Sequence, residues 1–590
     1  MRRAILAAIL AGAFLVEAAA GQTPGATQPE GDSGDAPDHG VARLSLAQGA
    51  VSVRHGDTAD LSVGVVNAPL IAGDRISTGD GARAEIQFDA LNMIRLSFAT
   101  EVRLSELQYK QYQIQIAQGT AMFHVARDND ARAEISTPTV LMRPARQGSY
   151  RVTVNPDGTT EIAVRAGQAE VFGPTGSEYI EAGQTMMARG SPSDPEVRVV
   201  ASAPQDDFDR WNADRDRAFG RTASAGYVSP DIAGGESLDQ YGQWQNDPQY
   251  GQVWVPSVGP DWAPYQDGRW IWADYYGWSW LGAEPWGWAP YHYGRWYRGP
   301  WGWAWYPGAI GPAYYWRPAL VGFFGWGGGF GVGFGFGFAN VGWVPLAPFE
   351  VFRPWYGRGF AGGGRVNIVN VNVVNVYRNA RFTNAIGGVR ASEFGHSAVN
   401  ARTMVRASSA DLARAGSVRG AMPFTPAANS RRFSDAAVST RGMPQTSSSL
   451  RFSSAGSRLT GPGARSFAQS PAGSRGAAGP SVGSKSGWRP FNPSTSSSAS
   501  RQPGFNGQPR AYSTPQTSPR YSSPAPQASP RYSAPQNRGY APQQRVQINP
   551  PIVRDRGSSG QGSRGGGGGG SRSGGGSSRG GNGGGHGGRR

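Results

Sequence analysis

The chain has 590 residues, of which 87 are Gly and 44 Pro and only 38% are hydrophobic, a balance that excludes folding from end to end. Formal net charge is +16, yet residues 405–590 hold about 25 of the 57 Lys and Arg against three of the 41 Asp and Glu, so the first 404 residues are net acidic. There is no Cys, which excludes disulfides, thiolate metal sites and a lipid on a cysteine.

The opening stretch MRRAILAAILAGAFLVEAAAGQ has Arg2 and Arg3, an apolar run from Ala4 to Val16, and small residues at Ala18 and Ala20. That order predicts a secretory signal peptide over residues 1–20, cleaved after Ala20; the run is short for a membrane span. An uncleaved anchor is the alternative, because Glu17 sits close to the cleavage point. The expected location is the periplasm, the outer envelope or the exterior. Residues 21–40, rich in Gly, Pro and Asp, read as a linker.

From residue 41 to 190 the text breaks into short alternating segments. Ala84, Ile86 and Phe88 share one parity, as do Ile94, Leu96 and Phe98, then Val102 and Leu104. Period two predicts half-buried strands. VTVNPDGTTEIAV reads as a hairpin bending at Asn155, Pro156, Asp157 and Gly158. An all-β domain of about 150 residues follows from this count.

The pieces GAVSVR, LIAGDRISTGDGARAEIQF, IRLSFATEVRLSEL, IQIAQGTAMFHV, GSYRVTVNPDGTTEIAVRAGQAEVF and IEAGQ resemble FecR-like domains in content and order. The resemblance implies a β domain outside the inner membrane. In the best-understood members it relays a signal inward, through a transmembrane helix, to a sigma factor. No span of 18 apolar residues precedes the domain here, so the signalling role carries over less readily than fold and location. The chain also departs from the family at FDALNMIRL, where an Asp-Gly turn is common.

Residues 191–240 read as a linker with one short helix, DDFDRWNADRDRAF. Phe208, Trp211, Ala218 and Phe219 fall near one face, with Asp206 or Asp207 placed to cap it. The helix is either a docked connector or a partner-binding element.

Residues 241–310 repeat. At a shift of 26, Gly242, Gly268 and Gly294 align, as do Trp244, Trp270 and Trp296, while Trp254 falls on Trp280; one residue fewer brings in Trp305. The unit reads G-x-W, about five residues, aromatic-G-x-x-W, and predicts three β-hairpins. Trp244, Trp254, Trp270, Trp280, Trp296 and Trp305 are the expected repeat core. WAPYQDGRW recurs as WAPYHYGRW, and Trp262, Tyr265, Trp278, Trp288, Tyr291, His292 and Tyr293 are the candidates for an exposed face that stacks on sugars.

Together FDRWNADRDR, YVSPDIAGGESLDQYGQW, YGQVWVP, WAPYQDGRW, WGWAPYHYGRW, GWAWYPG and VGWVPLAPFEVFRPWY resemble an uncharacterised secreted bacterial family, found beside FecR-like domains, that carries YHYGRW. The family has no established chemistry. Its resemblance implies homology over about residues 207–357 and no mechanism.

The six histidines, His39, His55, His124, His292, His396 and His586, show no metal-ligand spacing. His292 with Asp261 or Glu284 is the one acid/base grouping to name, and a glycan hydrolase would need paired carboxylates. The expectation is no catalysis, no metal and no cofactor.

Residues 311–404 read as β segments. Phe330, Val332, Phe334, Phe336 and Phe338 alternate with Gly, a strand that caps the repeats or lies against another sheet or a membrane surface. VNIVNVNVVNVY is also β-prone. Residues 405–590, rich in Ser, Gly, Pro, Gln and Arg, read as a disordered basic tail.

The fold class expected is therefore mainly β: a FecR-like domain, a Trp-rich hairpin-repeat domain and a long disordered tail. The expected function is binding or scaffolding at the cell envelope. The rings and tail would contact polysaccharide, peptidoglycan or membrane surface, with no nucleic acid. A sensory accessory that meets an envelope protein through the FecR-like domain is the alternative, and a glycan hydrolase the third.

Overall fold

The computed structural model describes residues 39–454 apart from 175, 312, 329–336, 357–366, 371 and 446–448, together with 489–490. The signal peptide, almost all of the linker 21–40, the positions Phe330, Val332, Phe334 and Phe336, and most of the tail lie outside the described residues. Everything described belongs to one unit.

Mainly β architecture follows from the alternation. Among the described residues, seventeen strands run from Ala42 to Ala201 in two sheets that share the long strand Gln111–Val125. Its first half pairs with Thr100–Gln108 and, in parallel, with Arg132–Ser136. Its second half pairs with Asn92–Leu96 and Gly148–Val154. The changeover falls at Gly119, whose φ of +94° suits glycine. A Cβ there would run into the Ala99 carbonyl and Thr100.

Ala84, Ile86, Ile94, Leu96, Val102 and Leu104 are fully buried between the sheets. Phe98 departs from the expected parity and is exposed. Its strand ends at Leu96 and the chain turns through Ala99 at φ +46°, so the period stops before reaching it. The domain also runs past residue 190, since Asp194–Ala201 pairs along its whole length with Gln184–Ser191.

Helix α1, Asp207–Phe219, starts where Asp206 accepts from the Asp209 amide while Asp209 answers with its own carboxylate, a reciprocal cap. Phe208 is buried and Trp211 and Phe219 are half-buried, but Ala218 faces solvent. The helix lies on the first domain, as a docked connector would.

Three hairpins occupy the repeat. Gly242–Asp247 pairs with Gly251–Pro256, Gly268–Ala273 with Gly277–Gly282, and Arg295–Gly299 with Gly302–Tyr306. They do not form a regular array. The first and third join edge to edge at Trp254 and Trp305, whereas the second stands as its own two-stranded sheet. Its outer residues Ile271 and Leu281 enter the core of the FecR-like domain.

A five-stranded sheet completes the second domain, in the order Asn367–Asn370, Gly416–Arg419, Val321–Gly328, Phe338–Pro345, Gly387–Arg390. The Asn/Val-rich run is a strand only in its first part. Asn372 caps a single helical turn, Val373–Val376, by accepting from the Val374 amide.

The boundary expected at residue 404 is corrected by this sheet, which takes Gly416–Arg419 as a central strand. The following chain crosses back to the first domain as a strap. Phe433 is buried in the first domain's core and its amide donates to Ser62 Oγ at 2.9 Å. Arg269 of the second hairpin donates to both carboxylate oxygens of Asp435 at 2.8 Å and to the Arg432 carbonyl at 3.2 Å, and the Ser453 amide reaches the Thr137 carbonyl of the first domain at 2.9 Å. Composition misses this because each anchor is a single residue in an otherwise polar stretch.

Candidate functional site

The register explains the repeat. Trp244 faces Trp254, Trp270 faces Trp280 and Trp296 faces Trp305 across the three hairpins. The glycine two residues before each first Trp lies beneath the indole of the second. A Cβ at Gly242, Gly268 or Gly294 would collide with the paired ring of Trp254, Trp280 or Trp305 and with the carbonyl after it. The motif thus records a ring laid over bare backbone.

Of the expected core rings, Trp254, Trp270, Trp280, Trp296 and Trp305 are buried. Trp244 is half-buried, its indole N–H donating to Ser224 Oγ at 2.9 Å.

The expected sugar-stacking face is overturned. Tyr265, Trp278, Trp288, Tyr291, His292 and Tyr293 are all buried, and only Trp262 is partly open, its N–H donating to Glu284 Oε1 at 3.1 Å. Tyr265 and Trp278 show what holds them inward. Tyr265, at φ +62°, donates its hydroxyl to the Tyr291 carbonyl at 2.7 Å and takes the Trp343 indole on its own carbonyl at 2.9 Å. Trp278 donates to the Phe424 carbonyl. The other face of the rings is covered by the five-stranded sheet and the first domain, which hairpin spacing does not report.

The acid/base grouping is not assembled. His292 Nδ1 lies 2.7 Å from the Arg317 carbonyl, which fixes that nitrogen as the donor, and its ring stacks on Trp316. Burial pushes its pKa down to about 3, against the opposing pull of the carbonyl. Glu284 is turned to Trp262, its carboxyl raised by burial, and Asp261 is exposed. No hydrogen bond links His292 to either acid. Among the described residues no group of three or more His, Asp or Glu is placed to hold a metal ion.

Buried charge, unforeseen from sequence, sits between the first domain and the chain that follows it. Arg95 is fully buried and donates to Glu85 Oε2 at 2.6 Å and to Asp216 of helix α1 at 2.5 Å. Arg215 donates to both Glu85 oxygens. Burial alone would raise the Glu85 carboxyl, but Arg215, Arg95 and Ser45 outweigh it and hold it at about 2. Arg43, also buried, spends its guanidinium on Asn67, Gln87, Glu236 and Ser237. Breaking such a pair costs about 3–5 kcal/mol because the partner charge stays buried.

The FDALNMIRL departure closes this junction. Asp89 accepts from the Leu91 and Asn92 amides and from the Tyr112 hydroxyl at 2.7 Å, and the Ala90 amide donates to the Pro230 carbonyl at 3.0 Å. Between Leu91, helix α1 and residues 222–236 lies a cleft of about 390 Å³. His124 lines it, with Nδ1 at 3.0 Å from Ser149 Oγ and 3.3 Å from Asp216.

A two-sheet β domain interlocked with a Trp-rich β domain through buried arginines defines the class of protein. Residues 74–170 match the family described as FecR protein, and residues 235–350 match the Family of unknown function (DUF6600), so the chain joins a FecR domain to a domain of that second family. Two crystal structures of a candidate anti-sigma factor from Parabacteroides distasonis ATCC 8503 are similar at 20% and 19% identity, with TM-score 0.19 for each. The match covers 22% of this chain and 59% of that one, so the chain spans about three-fifths of its relative's length. No curated protein matches this chain.

Proposed function

We propose that the chain is a non-catalytic regulatory accessory acting outside the cytoplasm, its FecR domain meeting an envelope protein and its Trp-rich domain held to it as one rigid piece. The observation that carries this reading is the buried Arg43 cluster. It ties strands of the FecR domain to Glu236 and Ser237 at the start of the second domain, so a contact made on one domain is felt by the other. The FecR match and the charged, apolar, A-x-A order of residues 1–20 support an exported location.

A second reading, an envelope scaffold, is favoured by the segregated charge of residues 405–590, which suits a salt-sensitive grip on anionic polymers or headgroups. Transcript profiling separates the two. Cells lacking the chain are compared with cells whose chain ends at residue 454. The regulatory reading expects a restricted set of transcripts to change on deletion and to be restored by the truncated chain. Unchanged transcripts on deletion, with envelope retention lost on truncation, would replace it by the scaffold.

A further inference from the structure

The cleft beside helix α1 is bordered by residues already described, among them His124, Asp216 and Glu236, and its interior has no part in the proposed function. Its volume of about 390 Å³ lies within the range of small-molecule sites, roughly 300–1,000 Å³. At about 30 Å³ for each water-sized group, it takes a molecule of about a dozen non-hydrogen atoms. Leu91, Met93, Phe219, Val228 and Ile232 make an apolar floor, supplied by both the FecR domain and the chain that leads to the second domain.

Charge at the rim narrows the chemistry. Asp216 is neutralised by Arg95 at 2.5 Å and Glu236 by Arg43 at 2.7 Å. Arg127 lines the same cleft, is exposed, and has no ion-pair partner among the described residues. Its neighbour Asp128 is turned to the Gln147 amide. The rim therefore presents one uncompensated guanidinium above an apolar floor.

We propose that this cleft binds a small carboxylate with an apolar body, such as a chain of about ten carbons, with the carboxylate on Arg127 and the body against Leu91, Val228 and Ile232. A guanidinium pairs a carboxylate through two parallel hydrogen bonds, and the floor takes the rest of the molecule out of water. The site bridges both domains, so occupancy would stiffen their junction. It stands whether or not the regulatory reading holds.

The test is a thermal melt of the full chain with decanoate, kept below the concentration at which it forms micelles. Decanoate gripping the basic tail would bind folded and unfolded chain alike and leave the midpoint in place, whereas a ligand of the folded cleft raises it. The expected result is a saturable rise, with affinity about tenfold weaker in Arg127→Gln and intermediate in Arg127→Lys, which keeps the charge but not the paired hydrogen bonds. Val228→Trp, which fills the floor, and Ala225→Trp, a change at an exposed rim position that leaves the fold intact, both abolish the rise. No rise with decanoate, an equal rise in Arg127→Gln and Ala225→Trp, or an equal rise with decyltrimethylammonium would each overturn the proposal.

Discussion

Replacing Trp270 by Ala tests whether the repeated rings are a core. Trp270 is 1% exposed and its ring lies 5.3 Å from Trp280, 4.9 Å from Phe323, 5.4 Å from Trp343 and 5.6 Å from Phe394. One side chain therefore joins the second hairpin to the strands Val321–Gly328 and Phe338–Pro345 of the five-stranded sheet and to Phe394, which ends the turn Ala391–Glu393. Burying an indole removes roughly 150–250 Å² from water, and at about 25 cal/mol per Å² that is worth about 4–6 kcal/mol. Its N–H has no partner among the described residues, so the substitution forfeits packing and no hydrogen bond. Large-to-small changes of this kind cost about 3–5 kcal/mol, a large share of a typical 5–15 kcal/mol.

The assay is urea and thermal unfolding of the full chain, because Ile271 and Leu281 pack into the first domain and a fragment bounded by the repeats would expose them. Trp301→Ala, at a hairpin tip and 41% exposed, is the control and should stay within about 0.5 kcal/mol. A Trp270→Ala midpoint as little moved as that control would refute the account of the rings as a shared core.

The remaining predictions concern backbone and titration. Gly268→Ala, at φ +154° beneath Trp280, should destabilise by about 3 kcal/mol or more, whereas Gly302→Ala, at φ +98° in open space, should cost about 1 kcal/mol; equal losses in unfolding experiments would remove the ring-over-glycine explanation. His292 keeps a pKa of about 3 when folded against the ordinary 6.5 of an unfolded chain, so only the unfolded chain takes up a proton between those values, and stability should fall by about 2 kcal/mol from neutral pH to pH 5. Below about pH 4.5 the Glu85 contribution, present above its unfolded pKa, is lost as the pH drops toward 2; His292→Gln should flatten the upper limb alone, and a profile unchanged by it would count against the burial. For His55, burial lowers the pKa but the Asp74 hydrogen bond and the charges of Asp74 and Asp57 prevail and raise it, so its contribution is complete below pH 6.5 and fades as pH rises through the folded value. Its ring packs edge-on against Phe433 at 5.1 Å, so hydrogen-exchange protection over residues 428–435, taken relative to the intrinsic rate at each pH, should fall above neutral pH and lose that dependence in His55→Gln.

Local periodicities were legible without coordinates. Alternation marks the strands around Ile86, Ile94 and Val102, the NPDG bend places Gly158 at φ +84°, the pair Asp206 and Asp207 announces the start of helix α1, and the G-x-W spacing announces three hairpins. Each is a property of a few consecutive residues, so a single chain carries the whole signal. Segregation of charge is legible for the same reason.

What covers the second face of an element is a different matter, because it depends on segments far away in the chain. The rings of Tyr265, Trp288 and Tyr291 read equally well as a binding surface or a core until the five-stranded sheet is seen packed against them. Arg43 and Arg95 occupy polar-parity positions of ordinary strands. Arg95 finds Glu85 on the neighbouring strand, but the partners that tie the two arginines to the rest of the fold, Glu236 and Asp216, lie 193 and 121 residues away. The strap past residue 404 has too few apolar residues to fold alone, yet Phe433 needs only a surface already built to receive it. Sequence pattern determined the elements with a strong local period, since that is settled by nearest neighbours along the chain. Tertiary structure alone decided which faces remain for function, since burial is settled by whatever packs on top.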